Sequence, residues 1–158
     1  MIEIRQAGPG DDFAAILALV RDMFAYMEAR IDPPSSMHRM TVDSVREHAA
    51  TQEIWTAFDG KEFAACVFLT RKPECLYLGK MAVSPSYRGK GLARKLVGKA
   101  ETRAHDLGLD VLELQVRIEL IENRDTFRTL GFIKSAETAH SGYDRPTSIT
   151  MRKKLRHL

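Results

Sequence analysis

Met81-Ala82-Val83-Ser84-Pro85-Ser86-Tyr87-Arg88-Gly89-Lys90-Gly91-Leu92-Ala93-Arg94 is the most informative stretch of this chain. An apolar strand ends at Ser84-Pro85, a turn with two glycines follows, and a long helix begins. A helix start offers unpaired N–H groups and about half a positive charge. Successive amides in a tight turn form a concave anion site. Gly89 and Gly91 allow unusual φ angles and close approach of backbone to a phosphate. Arg88, Lys90 and Arg94 add positive charge. A pyrophosphate is the guest that fits this arrangement.

Downstream, Gly91 to Leu107 reads as a helix whose stripe is Leu92, Leu96, Val97, Ala100, Ala104 and Leu107. Gly108 ends it. Asp110 to Val116 is a strand, Glu122 to Leu130 a short helix, and Phe132 to Ala136 and Thr147 to Lys153 are strands around a polar loop. Upstream, Cys75 to Val83 closes a meander with Glu53 to Phe58 and Glu62 to Arg71, and Asp59-Gly60 supplies the first turn. Ile2 to Gln6 is a first strand. A helix follows it, capped by Asp11 or Asp12 and carrying Phe13, Ile16, Leu17, Val20, Met23, Phe24 and Met27 at helical spacing. Ile31 to Met40 is a loop, and Thr41 to Ala50 a second helix. The order β-α-α-β-β-β-α-β-α-β-β predicts a mixed α/β fold. Its sheet is mostly antiparallel with a central βαβ unit, helices lie on both faces, and residues 1–158 form one domain.

Phosphate-binding alternatives fit less well. A P-loop needs GxxxxGK[ST], but Gly91 is followed by Leu92-Ala93. A dinucleotide fingerprint needs a third glycine where Arg94 stands, and belongs in a first βα turn, not after a meander. The stretch instead resembles motif A of the GNAT acetyltransferase superfamily, here Arg88-x-x-Gly91-x-Ala93. Phe127-Arg128-Thr129-Leu130-Gly131-Phe132 is similar to that family's motif B, and the element order agrees over nearly the whole chain.

The resemblance implies direct transfer of an acetyl group from acetyl-CoA, a cosubstrate, to an amine of a small molecule, protein or peptide. It places the coenzyme on Met81, Ala82, Val83, Arg88, Gly89, Lys90, Gly91, Leu92, Ala93 and Arg94, with Asn123 and Phe127 contributing from the last helix. A backbone N–H near Met81 or Val83 would polarise the thioester carbonyl. The attacking amine must be neutral, so a base must take its proton.

Two departures matter. The family's usual acid, a tyrosine four residues before the motif B glycine, is Phe127 here, and Gly79-Lys80 replaces the frequent acidic residue of the fourth strand. Substitutes are sought in the polar loop, with Tyr143 as acid and His140 as base or relay. Glu28, Arg30 and His38 are candidates for the acceptor pocket, and Glu113 and Glu119 are weaker base candidates. The same departures leave room for an alternative, a non-catalytic acyl-CoA-binding regulatory domain.

Composition is that of a globular protein: 158 residues, 44% hydrophobic and 28% charged. No apolar run nears the ~20 residues that span a bilayer, and Met1 to Arg5 is not a signal sequence, so a cytoplasmic location is expected. Cys66 and Cys75 read as small buried hydrophobes, and no ligand spacing argues for metal. A net charge of +3 gives no case for nucleic acid, and Arg152, Lys153, Lys154 and Arg156 read as a solvated tail. The final strand is expected at a sheet edge, where it would invite a second copy into a homodimer.

Overall fold

The computed structural model describes residues 1–34 and 39–156. The strands are β1 (Ile2–Gln6), β2 (Glu53–Asp59), β3 (Glu62–Arg71), β4 (Leu76–Val83), β5 (Val111–Arg117), β6 (Ile133–Thr138) and β7 (Ser148–Lys154). The helices are α1 (Phe13–Glu28), α2 (Val42–Thr51), α3 (Leu92–Asp106) and α4 (Ile121–Thr129). The element order is the one the sequence predicts, and the mixed, mostly antiparallel sheet is present in the order β1-β2-β3-β4-β5-β7-β6.

Capping and periodicity set the helices. Asp12 Oδ1 accepts from the Ala15 N–H at 3.0 Å, and α1 turns Phe13, Ile16, Leu17 and Val20 onto the sheet. Thr41 and Ser44 form a reciprocal capping box at α2. Val45, Ile54, Cys66, Phe68 and Ala82 complete that core layer. On the opposite face α3 buries Leu92, Leu96, Val97, Ala100 and Ala104 against the central strands.

The β4–β5 pair positions the site. These neighbours are parallel and joined by the α3 crossover, yet their register holds only Leu76↔Leu112 and Tyr77↔Glu113. Past that point they diverge, leaving a V that opens toward Val83 and Arg117. A bulge sharpens the split: Cys66↔Ala82 and Phe68↔Gly79 bracket an extra residue on β4, and Lys80 takes φ +50° there. Nothing in the sequence reading signals this bulge.

Three expectations need correction. β7 lies inside the sheet between β5 and β6, because the polar loop folds β6 back onto its outer side. The edge is β6, whose residues are all exposed, so the case for a homodimer built on the final strand loses its premise. The basic cluster is only in part a solvated tail: Lys154 and Arg156 are exposed, but Arg152 pairs with Glu113 at 2.7 Å and Lys153 with Glu101 at 2.6 Å. Finally, Asp59 belongs to β2, and Gly60-Lys61 form the hairpin turn.

Candidate active site

The V between β4 and β5 forms a cleft of about 570 Å³. Met81 and Val83 line one wall, and Leu114 to Arg117 the other. The C-terminal part of α1 contributes Met23, Phe24 and Met27, and α4 contributes Asn123 and Phe127. Phe127 also meets Phe132 edge-on at 5.8 Å, which fixes its ring between core and cleft. Asn123 Nδ2 lies 3.6 Å from Met27 Sδ, so α4 and α1 touch across the opening.

At the open end stands the glycine turn. Pro85–Tyr87 make one 3-10 turn. Tyr87 is buried, and its hydroxyl lies 2.9 Å from both Asp59 and Glu62, which moors the turn to the β2–β3 hairpin. Gly89 and Gly91 then take φ +75° and +78°. Gly91 is the N-cap of α3 and no side chain caps the helix, so its first amides are left for an outside acceptor. Beyond the adjoining residues, no protein atom lies within 4 Å of where a Cβ would sit on either glycine. Among the described residues Arg88, Lys90 and Arg94 take part in no ion pair. Bare amides, open space and cations outside any ion pair fit the diphosphate of a coenzyme.

The far side of the cleft is roofed by three segments tied by polar contacts. Arg117 donates to the carbonyls of Pro33 and Pro34 at 2.6 and 3.2 Å. Glu119 accepts from the Asp32 N–H at 3.1 Å. Asp32 in turn accepts from Tyr143 Oη at 2.6 Å and Arg145 at 3.1 Å. His140 lines the cleft, its Nδ1 bonded to Thr147 Oγ1. Burial, then the Arg117 guanidinium, lowers its pKa below the usual histidine value, with Glu119 opposing. The imidazole is therefore neutral at pH 7 and able to accept a proton.

Residues 16–132 match the acetyltransferase (GNAT) family. The chain belongs to that family. This GNAT acetyltransferase is 29% identical to thialysine N-epsilon-acetyltransferase of Bos taurus over 143 residues, covering 82% of this chain and 83% of the relative. Among solved structures, a GNAT acetyltransferase of Staphylococcus aureus superposes with a TM-score of 0.79 at 14% identity, covering 99% of this chain and 100% of that one. The ribosomal-protein-S18-alanine N-acetyltransferase of Escherichia coli gives 0.71 at 18%, covering 100% and 96%. At such identities the superpositions speak for the fold. Members of the family use acetyl-CoA as cosubstrate.

Of the positions that the GNAT resemblance assigns to the coenzyme, Met81, Val83, Arg88, Ala93, Asn123 and Phe127 line the cleft. Gly89, Lys90 and Gly91 are exposed on the turn, and Arg94 is exposed in the first turn of α3, outside the cleft lining. Ala82 and Leu92 are buried in the two core layers and offer only backbone. Tyr143 is not brought to the cleft lining. Its hydroxyl is spent on Asp32, and that bond raises its pKa, so the geometry gives it a roof contact where an acid was expected. Arg30 reaches the cleft but is paired with Glu122 in a two-pronged contact. Glu113 is held by Lys72 and Arg152 away from the lining. Glu28 does not line the cleft, and His38 lies outside the described residues.

Thr147 and Lys80 were missed. The only signal for Thr147 was its place at the end of the polar loop, and Lys80 hid behind the absence of the family's acid. Among the described residues no group of three or more His, Cys, Asp or Glu side chains could hold a metal, and no helix is long and apolar enough to cross a membrane.

Proposed function

We propose that this protein acetylates a primary amine by direct attack on acetyl-CoA, with His140 as the base. The observation that carries the reading is the splayed β4–β5 pair leading straight to an uncapped, glycine-bared helix start. When bound, acetyl-CoA supplies the acetyl group as a thioester whose leaving thiol has a pKa of ~8.5.

The amides at the start of α3 and the cations Arg88, Lys90 and Arg94 hold the diphosphate. Beyond the bulge β4 has no strand partner on its β5 side. Its backbone there can pair with the extended arm of the coenzyme, and a Met81 or Val83 N–H can face the thioester oxygen. Phe127, Met81 and Val83 exclude water along that arm. His140 Nε2 takes the proton of the acceptor ammonium, while Thr147 fixes the ring through Nδ1. With Phe127 in the family's tyrosine position and Tyr143 bound to Asp32, neither supplies an acid to the sulfur; the thiolate takes a proton from water, which the second N–H proton of the adduct replenishes.

A covalent route through cysteine has no support. Cys66 is fully buried and its thiol is pushed up to about 12. Cys75 is buried beside the far end of β4, and burial raises its pKa as well.

The test is thiol release from acetyl-CoA with a panel of amines. Release that depends on the amine supports the proposal. Binding of CoA without amine-dependent release refutes it.

A further inference from the structure

Lys80 lines the cleft, and the chemistry above does not use it. The β4 bulge decides which way it faces. Ala82 packs into the α1/α2 core layer, whereas Met81 and Val83 pack with the α3 layer. Lys80 Nζ stands 5.7 Å from the ring centroid of Phe68, a member of the α1/α2 layer. It also acts on His48 of α2. The ammonium therefore lies on the face away from α3, so it is not part of the diphosphate site.

The other charged groups near that side have polar partners, although Glu119 Oε1 is buried without one. Arg30 has Glu122, Arg117 has two proline carbonyls, and Asp32 has Tyr143 and Arg145. Lys80 has no ion pair among the described residues. It is half-buried, and burial alone lowers its pKa. A half-dry ammonium without an anionic partner is costly and becomes favourable once an anion arrives.

We propose that Lys80 selects acceptors carrying a carboxylate as well as the amine, so that amino carboxylates are preferred over alkylamines and polyamines. This rests on the acetyltransferase reading with His140 as base. The amine goes to His140 beyond the β5 wall and the carboxylate to Lys80 on the β4 wall, so the acceptor is held at both ends. A polyamine would bring a second cation against Lys80 and be repelled.

The test measures kcat/KM for matched pairs. These are ω-amino carboxylates from β-alanine to 6-aminohexanoate against the corresponding alkylamines, and lysine against cadaverine. For at least one chain length the carboxylate should be favoured by about tenfold or more, mainly through KM. Lys80→Met should bring that ratio toward one, and Lys80→Glu should invert it, with the melting shift given by CoA alone unaltered in both. Equal efficiency for every pair in the native protein, or a preference that survives in Lys80→Met, overturns the proposal.

If no amine is turned over although CoA still raises the melting temperature, the acetyl-transfer reading fails by itself. Lys80 is then judged by the further rise that an amino carboxylate gives the CoA complex. A rise that Lys80→Met abolishes sustains its role, and no rise in the native protein ends it.

Discussion

Replacing Gly91 by valine should destroy coenzyme binding while leaving a folded protein. Gly91 sits at φ +78° and caps α3. An L-residue in that region costs about 1–2 kcal/mol, somewhat more when β-branched. For a chain of this size that lowers Tm by about 3–8 °C, well within a typical stability of about 5–15 kcal/mol. The effect on binding is larger. The branched side chain would enter the open space before the α3 amides, where no protein atom beyond the adjoining residues lies within 4 Å. A hydrogen bond to a charged group contributes about 1.5–3 kcal/mol, so losing two weakens CoA by roughly 10²–10⁴-fold. Gly98→Ala is the control. Gly98 lies within α3, and nothing stands within 4 Å of its added Cβ. That change should stabilise the fold by about 0.5–1 kcal/mol and leave CoA affinity alone. Calorimetric titration with CoA, beside thermal melts by circular dichroism, reads both quantities. A folded Gly91→Val protein that binds CoA within about threefold of the native Kd would refute the reasoning.

Other consequences are open to test. His140→Gln should lower kcat by about 10²–10⁴-fold. It should also remove the low-pH limb of the kcat/KM profile, since the native rate rises as the imidazole loses its proton at a pH below the usual histidine value; a limb unchanged in the variant would exclude His140 as base. Asp32→Ala releases Tyr143 and Arg145 from the roof, so KM for the amine should rise several-fold while CoA affinity and Tm hold, and a loss confined to CoA would contradict this. His48 is half-buried, and that burial is the chief cause of its lowered pKa. The unfolded chain binds that proton more readily, so stability is full above about pH 6.5 and falls as pH drops toward the folded pKa. His48→Gln should flatten the change in urea midpoint between pH 7 and pH 5; an equal slope in both proteins would assign the acid sensitivity elsewhere.

The helices and most strands were legible because their signals are local. The stripe from Leu92 to Ala104, the Asp12 cap and the meander each follow from spacing within one element. The glycine turn was legible for the same reason, since strand, glycines and helix are contiguous. What escaped the sequence is non-local. Lys80 has no intrinsic preference for positive φ, and its bulge answers to the register between β3 and β4. The place of β7 inside the sheet depends on how the polar loop folds β6 outward. Tyr143 was legible as a polar loop residue, but its bond to Asp32, 111 positions away, is not encoded in any local pattern. The same holds for His140, whose competence comes from Thr147, Arg117 and the burial that three segments impose together.

A crystal structure with CoA bound tests the central claim most directly. The diphosphate should lie against the amides of Gly89 to Arg94 at the start of α3, with the arm entering between Met81 and Leu114. A coenzyme seated elsewhere, with that turn left bare, would contradict it.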